Sequence, residues 1–316
     1  MAIDSESKQW LTGFFGNNVR FDEPMSRHTS LRVGGPAEAF VVPETLEALK
    51  ALIQWAWSKG IPCRIVGDGT NLLVKDNGIR GITVVLTKCL KKISHTQKTA
   101  KKIIVAAMAG ARIQALCRYA IDHGLAGLNF ALGIPGTVGG GIVMNAGTSY
   151  GWMESVLNAV TVLLPTGETR KIPRERLEFS YRRLSWDLGE DQAYRDQAVV
   201  VEGFFCLEPS DPQKLKQAAA QILTARRQSQ PLDLPNAGCF FKNPASGTPA
   251  GKLIDLAGLK GKSIGGAQVS TKHANFFVNT GHASAADFLA LTELVRKTVS
   301  AKFNIDLQSE VKIVGT

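Results

Sequence analysis

Residues 133–147 read GIPGTVGGGIVMNAG, and six of these fifteen residues are glycine. Pro135 stiffens the entry, and the side chains between the glycines are small or aliphatic. Glycine adds nothing to a core and costs conformational entropy, so a run this dense predicts a path with φ > 0 positions against which a flat or phosphorylated ligand can lie. Upstream, Cys63-Arg64-Ile65-Val66 runs into Gly67-Asp68-Gly69-Thr70-Asn71-Leu72, a second glycine turn directly after an expected strand. Such a turn exposes backbone N–H groups that form an anion-binding concavity. A plain structural turn needs glycine just as often. Neither loop has GxGxxG or Walker spacing. Two such loops suit one extended dinucleotide, and FAD is the natural candidate where the NAD motif is missing.

The chain has 316 residues, enough for two or three packed lobes with a sizeable core, and 44% of them are hydrophobic. No apolar run approaches the roughly 18 to 20 residues of a membrane span. The beginning, MAIDSESKQWLTGFFG, has neither a basic region nor an apolar stretch of the secretory kind. A cytoplasmic protein is expected. Its five cysteines, at 63, 89, 117, 206 and 239, are scattered without CxxC spacing, so neither a disulfide framework nor a metal site is indicated.

A net charge of +10 favours anionic partners. The densest run, residues 88–102 (KCLKKISHTQKTAKK), carries six lysines without an interleaved aromatic ring. It reads as a solvated hairpin rather than a nucleic-acid groove. Strands are expected at 38–43, 62–66, 81–86, 103–107, 156–164 and 198–207. Helices are expected at 45–59, 112–123, 213–229 and 283–303, and a last alternating strand at 308–314.

Three polar positions stand in distinctive settings. In Phe179-Ser180-Tyr181-Arg182-Arg183 an arginine beside an aromatic ring can grip a carboxylate with its planar fork, or simply face water. Cys239, after Gly238 in a proline-framed irregular stretch, is either a small core residue or a working thiol. Glu310, in Ser309-Glu310-Val311-Lys312, reads from periodicity alone as a solvent-facing strand position.

The segments GDGTNLLV (67–74), GLNFALGIPGTVGGGIVMNAG (127–147), FSYRRLSW (179–186), QPLDLPNAGCFFKNP (230–244), AGKLIDLAGLKGKSIGGAQVSTKHANFFVN (250–279) and KFNIDLQSEVKIVG (302–315) resemble, in order and spacing, the UDP-N-acetylenolpyruvoylglucosamine reductase family. The direct run from Arg226-Arg227 through Gln230-Pro231 to Gly238 resembles the shorter of its two forms, without the substrate-capping loop. The resemblance implies an α+β protein: a two-subdomain FAD-binding lobe of the vanillyl-alcohol-oxidase (PCMH) type plus a smaller α/β substrate-binding lobe. The expected division is a segment 1–26, a FAD-binding domain 27–207 (subdomains about 27–90 and 91–207), a substrate domain 208–303, and a strand in 304–316 returning to the active site.

The resemblance also implies chemistry. NADPH reduces non-covalently held FAD, and the flavin passes hydride to the enolpyruvyl methylene carbon of UDP-N-acetylglucosamine enolpyruvate, leaving carbanionic charge that a protein acid must quench. By position in the motifs, Arg182 meets the substrate carboxylate, Glu310 lies across the same group, and Cys239 is the proton donor where the family commonly has serine. A thiol is intrinsically a stronger acid than an alcohol and is mostly protonated at neutral pH. Val66, Gly67, Asp68, Gly69, Thr70, Asn71 and Leu72 are expected at the FAD pyrophosphate. Gly133, Ile134, Pro135, Gly136, Thr137, Gly139, Gly140, Asn145, Ala146 and Gly147 are expected along the flavin. Tyr181, Arg227 and Asn243 are expected at the substrate, and Lys312 stands where arginine is frequent. The resemblance implies no nucleic-acid or membrane partner, and a monomer is expected. The alternatives are another FAD-dependent oxidoreductase of the same fold or a non-catalytic nucleotide-binding protein.

Overall fold

The computed structural model describes residues 3–98, 102–245 and 247–316. In chain order its elements are α1 (Ser5–Phe15), β1 (Val19–Pro24), β2 (Pro36–Val41), α2 (Leu46–Ser58), β3 (Cys63–Val66), β4 (Leu72–Val74), β5 (Ile79–Val85), β6 (Ile93–Lys98), β7 (Ile103–Met108), α3 (Ile113–Asp122) and β8 (Leu125–Ala126). Then follow α4 (Val138–Val143), β9 (Gly147–Thr148), β10 (Gly151–Trp152), β11 (Leu157–Leu163), β12 (Thr169–Pro173), β13 (Leu177–Ser180), β14 (Arg183–Trp186) and β15 (Val199–Pro209). The chain continues through α5 (Pro212–Ser229), β16 (Asn236–Cys239), α6 (Ala250–Leu256), β17 (Ser263–Ile264), β18 (Ala267–Val269), β19 (Phe276–Asn279), α7 (Ala285–Phe303) and β20 (Lys312–Val314).

Three sheets organise these elements. The first, in the order β1-β2-β5-β3, joins parallel β2, β5 and β3 to antiparallel β1. Its edge strand β1 lies within residues 1–26, which carried no strand signal in sequence. Helix α2 belongs with this sheet for a simple reason. Thr45 caps its start by accepting from Ala48 N at 3.0 Å, and the spacing of Leu49, Leu52, Ile53 and Ala56 makes one apolar face, all four buried. The second sheet runs β12-β11-β15-β7-β6 and is antiparallel throughout. Here the lysine-rich run folds as expected into a β6–β7 hairpin, with its tip at 99–101 outside the described residues. Lys88, Lys91 and Lys92 precede it in the connection from β5.

The third sheet, β16-β19-β18-β17, carries α6 and α7 and has its own core. Phe240 stacks on Phe277 at 4.4 Å, with Phe288 and Leu291 behind. Helix α7 starts in a capping box between Ser284 and Asp287 and stops at Asn304, whose φ of 55° is left-handed.

Several long-range ties fix this lobe onto the first. The carboxylate of Asp76 accepts from both Ala285 N and Ala286 N at 2.9 Å, adding a second cap to α7 from the other lobe. Asn279 donates to Leu31 O at 2.9 Å in a buried contact. Leu31, Val33 and Leu73 lie in the core of the third sheet.

The expected strand at 308–314 is split. Ser309 forms an isolated antiparallel bridge with Phe241, just beyond β16, whereas β20 pairs in parallel with β4. Glu310 occupies the crossing between the two pairings.

A candidate FAD cleft with a charged cluster at one wall

A cleft of about 1790 Å³ runs between the first two sheets and under the third. Its floor is built by the two glycine loops, which meet where Thr70 Oγ1 donates to Pro135 O at 3.4 Å. Gly69 takes φ +63°, and a Cβ on it would stand 2.0 Å from His28 O. The loop therefore packs backbone against backbone, and Ser30 N donates to Gly69 O at 3.1 Å. Among the described residues, none of the backbone N–H groups of Asp68, Gly69 and Thr70 has a protein acceptor, the condition an anion cradle requires.

The second loop divides its glycines between different tasks. Gly133 and Gly136 have φ of +76° and +107°, as the sequence predicts. Gly139, Gly140 and Gly141 instead lie within helix α4, with none at φ > 0. Their need for glycine is steric: a Cβ would stand 2.8 Å from Ala109 Cβ at Gly139, and 2.9 Å from Ile113 Cδ1 and Met153 Cε at Gly141. At Gly140 it would meet only Thr137 Oγ1 at 3.4 Å, leaving that face to the cleft.

From Val66 through Leu72, and at Ile134, Pro135, Gly136, Thr137, Gly139, Gly140, Ala146 and Gly147, the expected cofactor positions line this cleft. Gly133 and Asn145 do not. Gly133 is covered by Arg226, and Asn145 is buried behind the wall, donating to Ser180 O at 3.2 Å and accepting from Glu154 N at 3.0 Å. The volume, the close-packed glycines and the unpaired N–H groups of Asp68 to Thr70 fit an FAD.

The wall under the third sheet carries Arg182, Cys239 and Glu310 together. Arg182 is the second residue of a two-residue hairpin between β13 and β14, with φ +59°. Glycine or asparagine usually occupies such a position, and left-handed backbone costs other residues about 1–2 kcal/mol. The side chain is held by several contacts. Nη1 donates to Gly147 O at 3.2 Å, and Nε lies 2.6 Å from Glu310 Oε1. That close approach is an ion pair rather than a hydrogen bond, because Nε–H has no acceptor at good angle.

Glu310 is the correction to the periodicity reading: its side chain is 12% exposed. Its N–H donates to Phe240 O at 2.8 Å and its carbonyl accepts from Asn71 Nδ2 at 3.3 Å, so each lobe holds one end of the residue. Burial raises its pKa above the ordinary carboxylate value, and the Arg182 guanidinium opposes that shift.

Cys239 opens partly onto the cleft at the end of β16. Gly238 before it has φ +76° with open space where a Cβ would be. Asn275 clamps the next turn of chain, accepting from Phe241 N at 2.9 Å and donating to Phe241 O at 2.8 Å. Burial pushes the Cys239 thiol up to about 12, and the Glu310 charge adds to this against the pull of Arg182 and Arg226. The two nearby cations therefore do not make it a thiolate.

The remaining expected substrate positions stand outside the cleft lining. Tyr181, the first residue of the hairpin turn, accepts from Asn243 N through its hydroxyl at 3.4 Å. The Asn243 side-chain oxygen takes Ala250 N at the start of α6. Arg227 points from α5 to a separate pocket of about 380 Å³, which meets the cleft at Gln230. Its neighbour Arg226, which sequence reading did not single out, is the one that lines the cleft. Consecutive helix positions point about 100° apart, and nothing in Arg226-Arg227 tells which faces inward.

Two family models match the chain: an FAD binding domain over residues 37–173 and the C-terminal domain of UDP-N-acetylenolpyruvoylglucosamine reductase over residues 230–314. A UDP-N-acetylenolpyruvoylglucosamine reductase from Desulfosudis oleivorans is 47% identical over 315 residues, covering 99% of this chain and all of the relative. One from Geobacillus kaustophilus is 42% identical, covering 94% of this chain and 93% of the relative. The crystal structure of the reductase of this name from Thermus caldophilus superposes with a TM-score of 0.75 at 32% identity, over 92% of this chain and 97% of that one.

Fold, cleft and matches define the class as an FAD-dependent oxidoreductase, with an FAD-binding lobe built on two sheets and a smaller α/β lobe above it. The chain belongs to the UDP-N-acetylenolpyruvoylglucosamine reductase family.

Proposed function

We propose that the protein reduces UDP-N-acetylglucosamine enolpyruvate to UDP-N-acetylmuramate, a step of peptidoglycan synthesis, with NADPH as electron donor. The observation that carries this reading is the convergence of Arg182, Glu310 and Cys239 on one wall of the FAD cleft. Bound in the cleft, FAD supplies two-electron transfer from the nicotinamide to the enolpyruvyl double bond.

The protein's own part is electrostatic and acid–base. Arg182 takes the substrate carboxylate in its fork and stabilises the charge that spreads onto it, a contribution made in the transition state. Glu310 orients the guanidinium. Cys239 gives its proton to the carbon beside the carboxylate, completing reduction of the double bond. Arg226 adds positive charge on the same wall, and Arg227 faces the UDP portion through the smaller pocket that joins at Gln230. Tyr181 and Asn243 border the sugar. In this reading residues 27–207 hold FAD, 208–303 hold substrate, and 304–316 return Glu310 to the site. The enzyme acts in the cytoplasm as a monomer. Among the described residues no helix is long and apolar enough to cross a membrane.

Anaerobic stopped-flow at 450 nm tests the reading. NADPH is expected to bleach the flavin, and UDP-N-acetylglucosamine enolpyruvate to restore its absorbance without oxygen. A flavin that is reduced but stays reduced until air is admitted would favour the general flavin oxidoreductase instead.

The state of Cys239 gives the pH dependence its sign. A thiol raised to about 12 keeps its proton until pH approaches that value. Reoxidation by substrate is therefore expected to show no decline centred near pH 8.5, the ordinary thiol range. Alkylation of Cys239 by iodoacetamide at pH 8 is expected to be slow, because the thiolate is the reactive form. A thiolate absorbance near 240 nm that rises around pH 8 and vanishes in Cys239→Ser would refute this account.

A further inference from the structure

The Arg182 guanidinium also lies against a pair of adjoining aromatic rings. Its central carbon is 5.1 Å from the Trp152 ring centroid and 5.3 Å from that of Tyr181. The two rings meet edge to face, 5.7 Å apart at 67°. Trp152 ends the small β9–β10 hairpin, where it pairs with Gly147. Its indole packs so tightly on Gly147 that a Cβ there would stand 2.4 Å from Trp152 Cε3. The Gly147 carbonyl is the acceptor for Arg182 Nη1. Trp152 thus touches both the guanidinium and the backbone that anchors it, while itself standing outside the cleft lining.

We propose that Trp152 is a positioning residue for Arg182. The inference rests on the reading of Arg182 as the partner of the substrate carboxylate. An arginine side chain is long and has many rotamers, and this one grows from left-handed backbone; Glu310 and the Gly147 carbonyl hold the edge of its fork, and its face needs a partner of its own. An indole face attracts the cation, and its tight seat on Gly147 gives that attraction a direction. The guanidinium is therefore oriented before substrate arrives, leaving less ordering to be done in the transition state. Tyr181 adjoins Trp152 on the same side of the guanidinium and accepts from Asn243 N through its hydroxyl at 3.4 Å.

The experiment compares Trp152→Leu, which keeps apolar bulk without a π face, with Trp152→Phe, which keeps the face. Each holoenzyme is reduced by NADPH and then reoxidised anaerobically by increasing UDP-N-acetylglucosamine enolpyruvate. Trp152→Leu is expected to slow the limiting reoxidation rate roughly tenfold, with flavin spectrum and NADPH reduction unchanged. Trp152→Phe is expected to stay within about threefold of the parent. In an Arg182→Ala background, Trp152→Leu is expected to add almost nothing.

If Arg182→Ala itself leaves reoxidation intact, the carboxylate reading fails. If Arg182→Ala slows it but Trp152→Leu does not, or if Trp152→Leu is equally harmful without Arg182, the positioning role is overturned. Should Trp152→Leu lose its flavin, Trp152→Gln takes its place under the same criteria. Loss of flavin in both variants would show that Trp152 serves the fold and overturn the proposal.

Discussion

Replacing Cys239 with alanine is expected to slow flavin reoxidation by the enolpyruvyl substrate by about 10²–10⁴-fold, the usual contribution of a positioned acid. Reduction of the flavin by NADPH should change by less than about twofold, because that half-reaction asks no proton of the substrate wall. The asymmetry follows from geometry: Cys239, Glu310 and Arg182 share the wall beneath the third sheet, whereas the floor is built by the glycine loops. The thiol is protonated because burial and the neighbouring carboxylate outweigh two cations. Cys239→Ser restores a proton on a weaker acid and should recover most of the loss. Equal losses in both half-reactions, with flavin content intact, would remove Cys239 from the role of donor.

Substituting Gly69 with alanine should cost the protein its FAD. At φ +63° an alanine is strained, and its Cβ would stand 2.0 Å from a backbone oxygen, that of His28, which cannot rotate away as a side chain can. The loop must then shift, and with it the N–H groups of Asp68 to Thr70 that face the cleft. A loss near 3 kcal/mol corresponds to about a 100-fold weaker Kd, so the purified variant is expected to be nearly colourless. Calorimetric titration of the apoprotein with FAD checks this, and an unchanged affinity would mean that the pyrophosphate is held elsewhere. Gly238→Ala is a useful contrast: its φ of +76° brings a similar strain, but open space surrounds its Cβ, so no backbone displacement is forced.

Features carried by local pattern were legible in sequence. The apolar alternation of β7, β11 and β15 and the one-sided face of α2 are local signals, and the structure follows them to within a residue or two. Local pattern left Arg182 and Cys239 open and read Glu310 as solvent-facing; resemblance to a family singled out all three, and the structure brings them to one cleft wall. The rest depended on long-range context. Within helix α4, Gly139 and Gly141 have to be glycine because Ala109, Ile113 and Met153 leave no room for a Cβ, a fact about neighbours that the sequence does not display. Glu310 is buried because the chain changes lobes at that residue, which alternation cannot express. The left-handed turn at Arg182 lacks the glycine that would announce it, since contacts from Gly147, Trp152 and Glu310 hold it. Arg226 and Arg227 differ only in the direction each leaves the helix.

The parallel pairing of β4 with β20 also sets an order of events during synthesis. Asn71 and Glu310, which bond across this junction, are 239 residues apart. At 5–20 residues per second the ribosome takes roughly 10–50 s to travel between them. Throughout that time β4 has no partner, Leu73 lacks much of its core, and the cleft has no carboxylate opposite Arg182. Most of the surface that greets the flavin can fold early, while the wall that carries the acid chemistry closes only after Val314 has emerged. A newborn chain can thus collect its cofactor well before it can act on a substrate.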